Sequence, residues 1–283
     1  MNKLKAHLDN IALSHSVFAL PFAYMGAILA APGWPDGRVL VWITVAMVGA
    51  RSAALALNNL VDLKYDRLQP RFANRPLVTG AVKPWEAKVL ILASLGLFFT
   101  AAARLNTFCL QLALPALIPL IIYPYMKRFS WTCHLVLGLA LALAPVGAWA
   151  AVRAELAWPA LLLGGAVGVW IAGFDVIYAC QDVDFDRRHG LHSLPARWGV
   201  ENALQLAKVM HVLSIAGFGA VGYLTGGGPL YYLGVGLAGL VLIYQHAVVD
   251  PGRLTLVNQR YFMRNGMVGI AMFIFTALSM LFN

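Results

Sequence analysis

Asn58, Asp62 and Asp66 stand four residues apart in the run "ALNNLVDLKYD", at the end of a long apolar stretch. On a helix this spacing stacks all three on one face. The two carboxylates then lie roughly 6 Å apart, where like charges repel unless a cation intervenes. A second run, "DVIYACQDVDFDRRHG", repeats the pattern with Tyr178, Asp182 and Asp186, and adds Asp175 two turns before Asp182. Asp182 follows Asp62, Asp186 follows Asp66 and Arg187 follows Arg67 by the same 120 residues, which suggests an internal repeat. Four carboxylates converging at one end of a helical bundle form a site for a hard cation. Mg²⁺ is the expected one, since it binds through carboxylate oxygens together with the phosphates of a substrate.

The cations around these acids point the same way. Arg67, Arg71, Arg75, Lys127, Arg128, Arg187 and Arg188 fall on the same side of the membrane as the acidic turns. Arginine offers phosphate oxygens a planar fork and lysine a point charge. Acids with such a basic ring predict a metal together with a polyanion. A membrane cavity suits a polyanion with a greasy tail, such as a polyprenyl diphosphate, because each buried CH₂ contributes about 0.8 kcal/mol.

The elements that must position these residues follow from composition. The 283-residue chain is 60% hydrophobic and 12% charged, against about 25% charged in soluble domains. An all-α polytopic membrane protein is expected, as a single domain over residues 1–283. Nine spans are predicted at 14–32, 39–60, 86–104, 108–126, 134–152, 158–180, 203–225, 229–249 and 264–282, each near the 20 residues a bilayer needs. Pro115, Pro119 and Pro145 fall inside spans, where neighbouring helices repair the backbone. The lead-in to the first span contains His7, Asp9 and His15, so this run is read as a membrane helix rather than a cleaved leader.

Of the 21 Lys and Arg residues, only Arg38, Arg104 and Arg153 fall on the side opposite the N-terminus, and Arg51 lies within the second span. This asymmetry predicts a cytoplasmic N-terminus, an outside C-terminus and acidic turns at the cytoplasmic face. It also accounts for the net charge of +9 without nucleic acid. The two long connections, about 25 residues after span 2 and about 22 after span 6, are both on that side, and long loops in compact domains are often functional.

Arg51 shares the face of Asn58 and Asp62. An intramembrane charge faces a cavity or a partner, which leaves two readings: contact with a substrate carboxylate, or an ion pair with Asp175. His15, His134, His211 and His246 read as packed or interfacial. Arg253, Arg260 and Arg264 read as topology signals. Cys109, Cys133 and Cys180 have no metal-like spacing and read as small apolar residues.

These motifs resemble the UbiA superfamily of membrane prenyltransferases. The first signature matches Asn58, Asp62 and Asp66, followed by "PRFANRPLVTG". The second matches "DVIYACQDVDFD", followed by "GLHSLPARWG", and "YPYMKR" resembles the basic element after span 4. The wording is most similar to 4-hydroxybenzoate-type polyprenyltransferases, in the bacterial branch linked to menaquinone made through futalosine. The resemblance implies a nine-helix UbiA-type bundle in a bacterial cell membrane. It implies Mg²⁺-dependent transfer of a polyprenyl group from its diphosphate to an aromatic acid, 4-hydroxybenzoate-like or naphthoate-like, in quinone biosynthesis.

On this reading Asp62, Asp66, Asp182 and Asp186 hold the metal, and Asn58 and Tyr178 complete the catalytic set. Arg51, Arg67, Arg71, Arg75, Lys127, Arg128, Asp175 and Arg187 contact substrate. Two positions depart from the family wording: Phe72 where a Thr often stands, and His192 where a Lys often stands. The alternative of another class is a cation transporter built on the Asp cluster. Against it, transporter sites tend toward the midplane, whereas these acids lie at one end.

Overall fold

The computed structural model describes residues 3–11, 20–249 and 259–282, with side chains of the last segment described from residue 265. Every described element is helical. A short polar helix, α1 (Lys3–Asn10), precedes α2 (Leu20–Ala30), α3 (Gly37–Asp66), α4 (Pro84–Leu105), α5 (Thr107–Met126), α6 (Cys133–Arg153) and α7 (Trp158–Ala179). A 3₁₀ turn at Cys180–Asp182 joins α7 to α8 (Val183–Arg188). Then come α9 (Leu194–Trp198), α10 (Val200–Thr225), α11 (Pro229–Val248) and α12 (Gln259–Phe282). Among the described residues, eight helices are long and apolar enough to cross a membrane. The remaining expected span, the first at 14–32, corresponds to α2, whose described part is eleven residues; positions 14–19 of that expectation, His15 included, lie outside the described residues. So do Arg253 and the side chains of Arg260 and Arg264.

The helix ends follow local chemistry. The Asp36 carboxylate accepts from the Arg38 N–H at 2.7 Å and opens α3. Pro84 occupies the first turn of α4, where its missing N–H costs nothing. The Asn106 side chain accepts from the Cys109 N–H at 2.7 Å, and its amide donates to the Ala150 and Ala151 carbonyls of α6, so one residue both caps α5 and ties it to a neighbour. Pro115, Pro119, Pro124 and Pro145 all lie within helices, as the membrane setting allows.

Neighbours in sequence pack as neighbours in space from α3 through α7. Then α7 packs on α10, α10 on α11 and α11 on α12. Helix α12 returns to α2, which also packs against α6. Small residues allow the closest crossings: a Cβ at Gly138 would overlap the Gly168 carbonyl, and one at Gly26 the Pro145 carbonyl. Such approaches are how helices associate where lipid supplies no hydrophobic drive. The three cysteines are buried and free.

Candidate active site

Each acidic turn sits at the same end of the bundle, and each carboxylate meets a basic side chain. Arg128 Nη2 lies 2.9 Å from Asp62 Oδ1, and the same guanidinium donates to the Val61 and Pro124 carbonyls. Arg75 Nη1 lies 2.5 Å from Asp66 Oδ2. In the second turn, Arg71 Nη2 is 2.8 Å from Asp182 Oδ2 and Gln69 donates to Asp182 Oδ1. Lys127 Nζ lies 2.9 Å from Asp186 Oδ1, while the Ser193 hydroxyl donates to Asp186 Oδ2 at 2.8 Å. Asp66, Asp182 and Asp186 are buried.

Gln69 and Arg71 belong to the connection leaving the first turn, yet they close on the second. This crossing joins the two motifs. Lys127 adds to it: burial opposes its charge, but Asp186, Asp182 and Asp175 together outweigh burial and hold its pKa above the ordinary value. Among the described residues no three acids, histidines or cysteines cluster tightly enough to form a metal's ligand set by themselves. The repulsion expected between stacked carboxylates is relieved by arginine and lysine.

Phe72 carries two of these cations. Its ring lies 3.8 Å from the Arg75 guanidinium carbon and 4.5 Å from that of Arg71, which also stands 5.0 Å over the Tyr178 ring. The Phe72 departure thus exchanges a hydroxyl for an aromatic platform that orders two guanidinium groups. His192 is exposed. Its N–H donates to the Lys127 carbonyl at 2.7 Å, so its backbone holds the lysine's segment.

Beneath the acids lies a cavity of about 690 Å³. It runs along α3 from Asn59 to Ile43, about 24 Å at 1.5 Å per residue. Asn58, Tyr178, Arg75 and Asp175 line it near the acidic end, and most of the remaining wall is apolar. Arg51 lies deeper on the same wall, and its Nε is buried without a hydrogen-bond partner. Of the two readings for Arg51, the ion pair with Asp175 does not form. Asp175 Oδ2 is instead bound by His134 Nδ1 at 2.6 Å.

Two expected contacts lie elsewhere. Arg67 is exposed at the C-cap of α3, and Arg187 is exposed with its Nε donating to the Ala196 carbonyl at 3.0 Å. Neither meets an acid of the two turns among the described residues. Sequence reasoning missed Gln69, His134 and Ser193. Ser193 had a readable signal, since a serine before "LPAR" is a helix N-cap, and its hydroxyl does accept from the Ala196 N–H.

The model of the UbiA prenyltransferase family matches residues 19–276. The chain belongs to the UbiA prenyltransferase family. It is 32% identical over 251 residues to a 4-hydroxybenzoate octaprenyltransferase of Citrobacter koseri, covering 89% of this chain and 86% of that protein. It is 32% identical to the protein of that name from Marinobacter nauticus, covering 92% and 88%. Among solved structures, a UbiA homolog from Aeropyrum pernix K1 aligns with a TM-score of 0.85 at 37% identity over 94% of this chain and 98% of that one. A UbiA homolog from Archaeoglobus fulgidus bound to GPP and Mg²⁺ shares the fold, with a TM-score of 0.77 at 21% identity over 98% and 99%. As a UbiA family member the chain is an all-helical, multi-span membrane protein, as its composition predicts.

Proposed function

We propose that this protein transfers a polyprenyl group from its diphosphate to the ring of a 4-hydroxybenzoate-like aromatic acid, in a bacterial cell membrane, with the acidic end facing the cytoplasm. One observation carries the reading. A rim of paired acids and bases opens onto a long apolar cavity whose deeper wall holds an arginine with an unsatisfied, buried N–H. Head, tail and acceptor each have a matching surface. The names of the curated relatives support the acceptor, and the Lys and Arg asymmetry supports the orientation.

The donor set suits Mg²⁺ held jointly with a diphosphate, since the four carboxylates offer hard oxygens at one end of the bundle but do not form a ligand set by themselves. Asp62, Asp66, Asp182 and Asp186 would hold it, and it would neutralise charge growing on the leaving diphosphate. Arg71, Arg75, Lys127 and Arg128 then have phosphate oxygens to turn to. Ionisation of the C–O bond leaves both electrons on the diphosphate and a cation on the allylic carbon. Tyr178 and Asn58 line the wall at this level, and an aromatic face favours a cation modestly. With its carboxylate on Arg51, a para-hydroxy acid directs its other end back toward the rim, to the level of Asp175. Asp175 accepts a hydrogen bond from the hydroxyl and enriches the ring. The ring carbon beside the hydroxyl forms the new C–C bond, and its proton passes to the departing diphosphate. The apolar wall excludes water, which would trap the cation as an alcohol.

The test is a purified-protein assay with Mg²⁺, a series of prenyl diphosphates and a panel of aromatic acids, read by product mass. Prenylated 4-hydroxybenzoate is expected. An Arg51→Lys variant should raise the acceptor KM about tenfold, because a point charge replaces a fork, and leave the diphosphate KM unchanged. No prenylated product from any acid overturns the assignment. An unchanged acceptor KM removes Arg51 from it. The transporter alternative finds no support in the geometry, because the acids are neutralised at one end of the bundle.

A further inference from the structure

His134 opens α6, is 1% exposed, and lies outside both acidic signatures. Its two nitrogens have different partners. The Leu194 backbone N–H donates to Nε2 at 3.2 Å, so Nε2 carries a lone pair. Nδ1 therefore bears the proton and donates to Asp175 Oδ2 at 2.6 Å. Hydrogen bonds thus fix the tautomer. Through the Nδ1 bond the ring orients a carboxylate on the cavity wall.

The Leu194 bond reaches further. Leu194 follows Ser193, whose hydroxyl holds Asp186, and His192, whose N–H is bound by the Lys127 carbonyl. Cys133, beside His134, donates its thiol to the His192 carbonyl at 3.5 Å. One imidazole thus touches the carboxylate at the level of the acceptor and the segment that seats the second acidic turn. We propose that His134 is a positioning residue for prenyl transfer. It aims Asp175 at the aromatic acceptor and pins residues 192–194, so that the acceptor layer and the diphosphate rim hold one register. The proposal rests on the function given above for Asp175.

Two substitutions separate the two bonds. Asn at 134 places its amide where Nδ1 stands and keeps the donor to Asp175, but cannot reach Leu194. Gln places its terminal group near Nε2, where its oxygen accepts from Leu194, and withdraws the donor from Asp175. His134→Gln is expected to lower kcat for transfer about tenfold, the scale of one hydrogen bond to a charged group. It should leave the diphosphate KM and acceptor-free hydrolysis of the diphosphate near wild type. His134→Asn should keep kcat within about threefold and raise the diphosphate KM, since only the 192–194 seat is loosened. In an Asp175→Asn background, His134→Gln should cost nothing further. Wild-type kcat in His134→Gln overturns the proposal. So does an equal loss of every parameter in both variants, which is the signature of packing alone. Absence of transfer by the wild-type protein would instead fault the function proposed above.

Discussion

The first acidic turn closes an unbroken 30-residue helix, while the second follows a break, with a 3₁₀ turn ending at Asp182 and a new short helix carrying Asp186. Their partners differ as much as their backbones. Asp66 is met by Arg75, nine residues on, and Asp62 by Arg128 from the end of the helix packed alongside. Asp182 and Asp186 have both oxygens engaged, by Gln69, Arg71, Lys127 and Ser193, and Asp186 is fully enclosed. In the first turn only Asp66 is supplied locally, and Asp62 stays partly open, with its side chain 29% exposed. The second is built by the rest of the chain. Equal spacing in sequence therefore yields one adaptable and one preformed half-site.

The largest test of that difference replaces one acid in each turn. Asp62→Asn and Asp182→Asn should each lower kcat/KM by about 10²–10³, the loss typical when one electrostatic contact to a transition state is removed. Their stabilities should diverge. An amide at 182 can accept from only one of Gln69 and Arg71, and losing one hydrogen bond to a buried carboxylate costs about 1.5–3 kcal/mol, so its Tm should fall below that of Asp62→Asn, whose carboxylate is partly open. Equal melting points would erase the contrast between the two turns.

Lys127, like Arg71, is electrostatically shared by both turns. Lys127→Met should raise the diphosphate KM by about 10- to 100-fold, the scale of one charge-assisted bond, with little change in acceptor KM. An acceptor-side effect would place the lysine in the wrong layer. Phe72→Leu should have the smallest effect. Losing the platform under Arg71 and Arg75 is worth about 0.5–1 kcal/mol, a two- to fivefold rise in diphosphate KM. No change would mean the arginines are ordered by Asp66 and Asp182 alone.

Much of this arrangement is legible in the residues themselves. The expected span at 134–152 meets a helix at Cys133–Arg153, and that at 86–104 meets Pro84–Leu105, because long apolar windows leave little choice. The expectation of 39–60 ends six residues short of Asp66: hydropathy falls at Asn58, but helical hydrogen bonding continues through polar residues to the rim. The four acids and Arg71, Arg75, Lys127 and Arg128 are marked by charge and spacing. Which cation meets which acid is not, because those pairings depend on how connections cross in space. Arg67 and Arg187 carry the same charge and repeat, yet face away. Arg51 and Asp175 have opposite charge and share a cavity, but His134 is the nearer partner for the carboxylate. Neutral side chains such as Gln69 leave no trace in a charge pattern.

The connection from Arg67 to Lys83 has a consequence for how the polypeptide tolerates being divided. Gln69 and Arg71 are tethered to the N-terminal part but complete the C-terminal one. A protease nick after Pro76 would leave those residues attached to the first fragment, still able to grip Asp182, and the fragments should reassemble. A nick before Gln69 would give the grip to the second fragment, leave Asp66 to find Arg75 across a chain break, and should impair reconstitution.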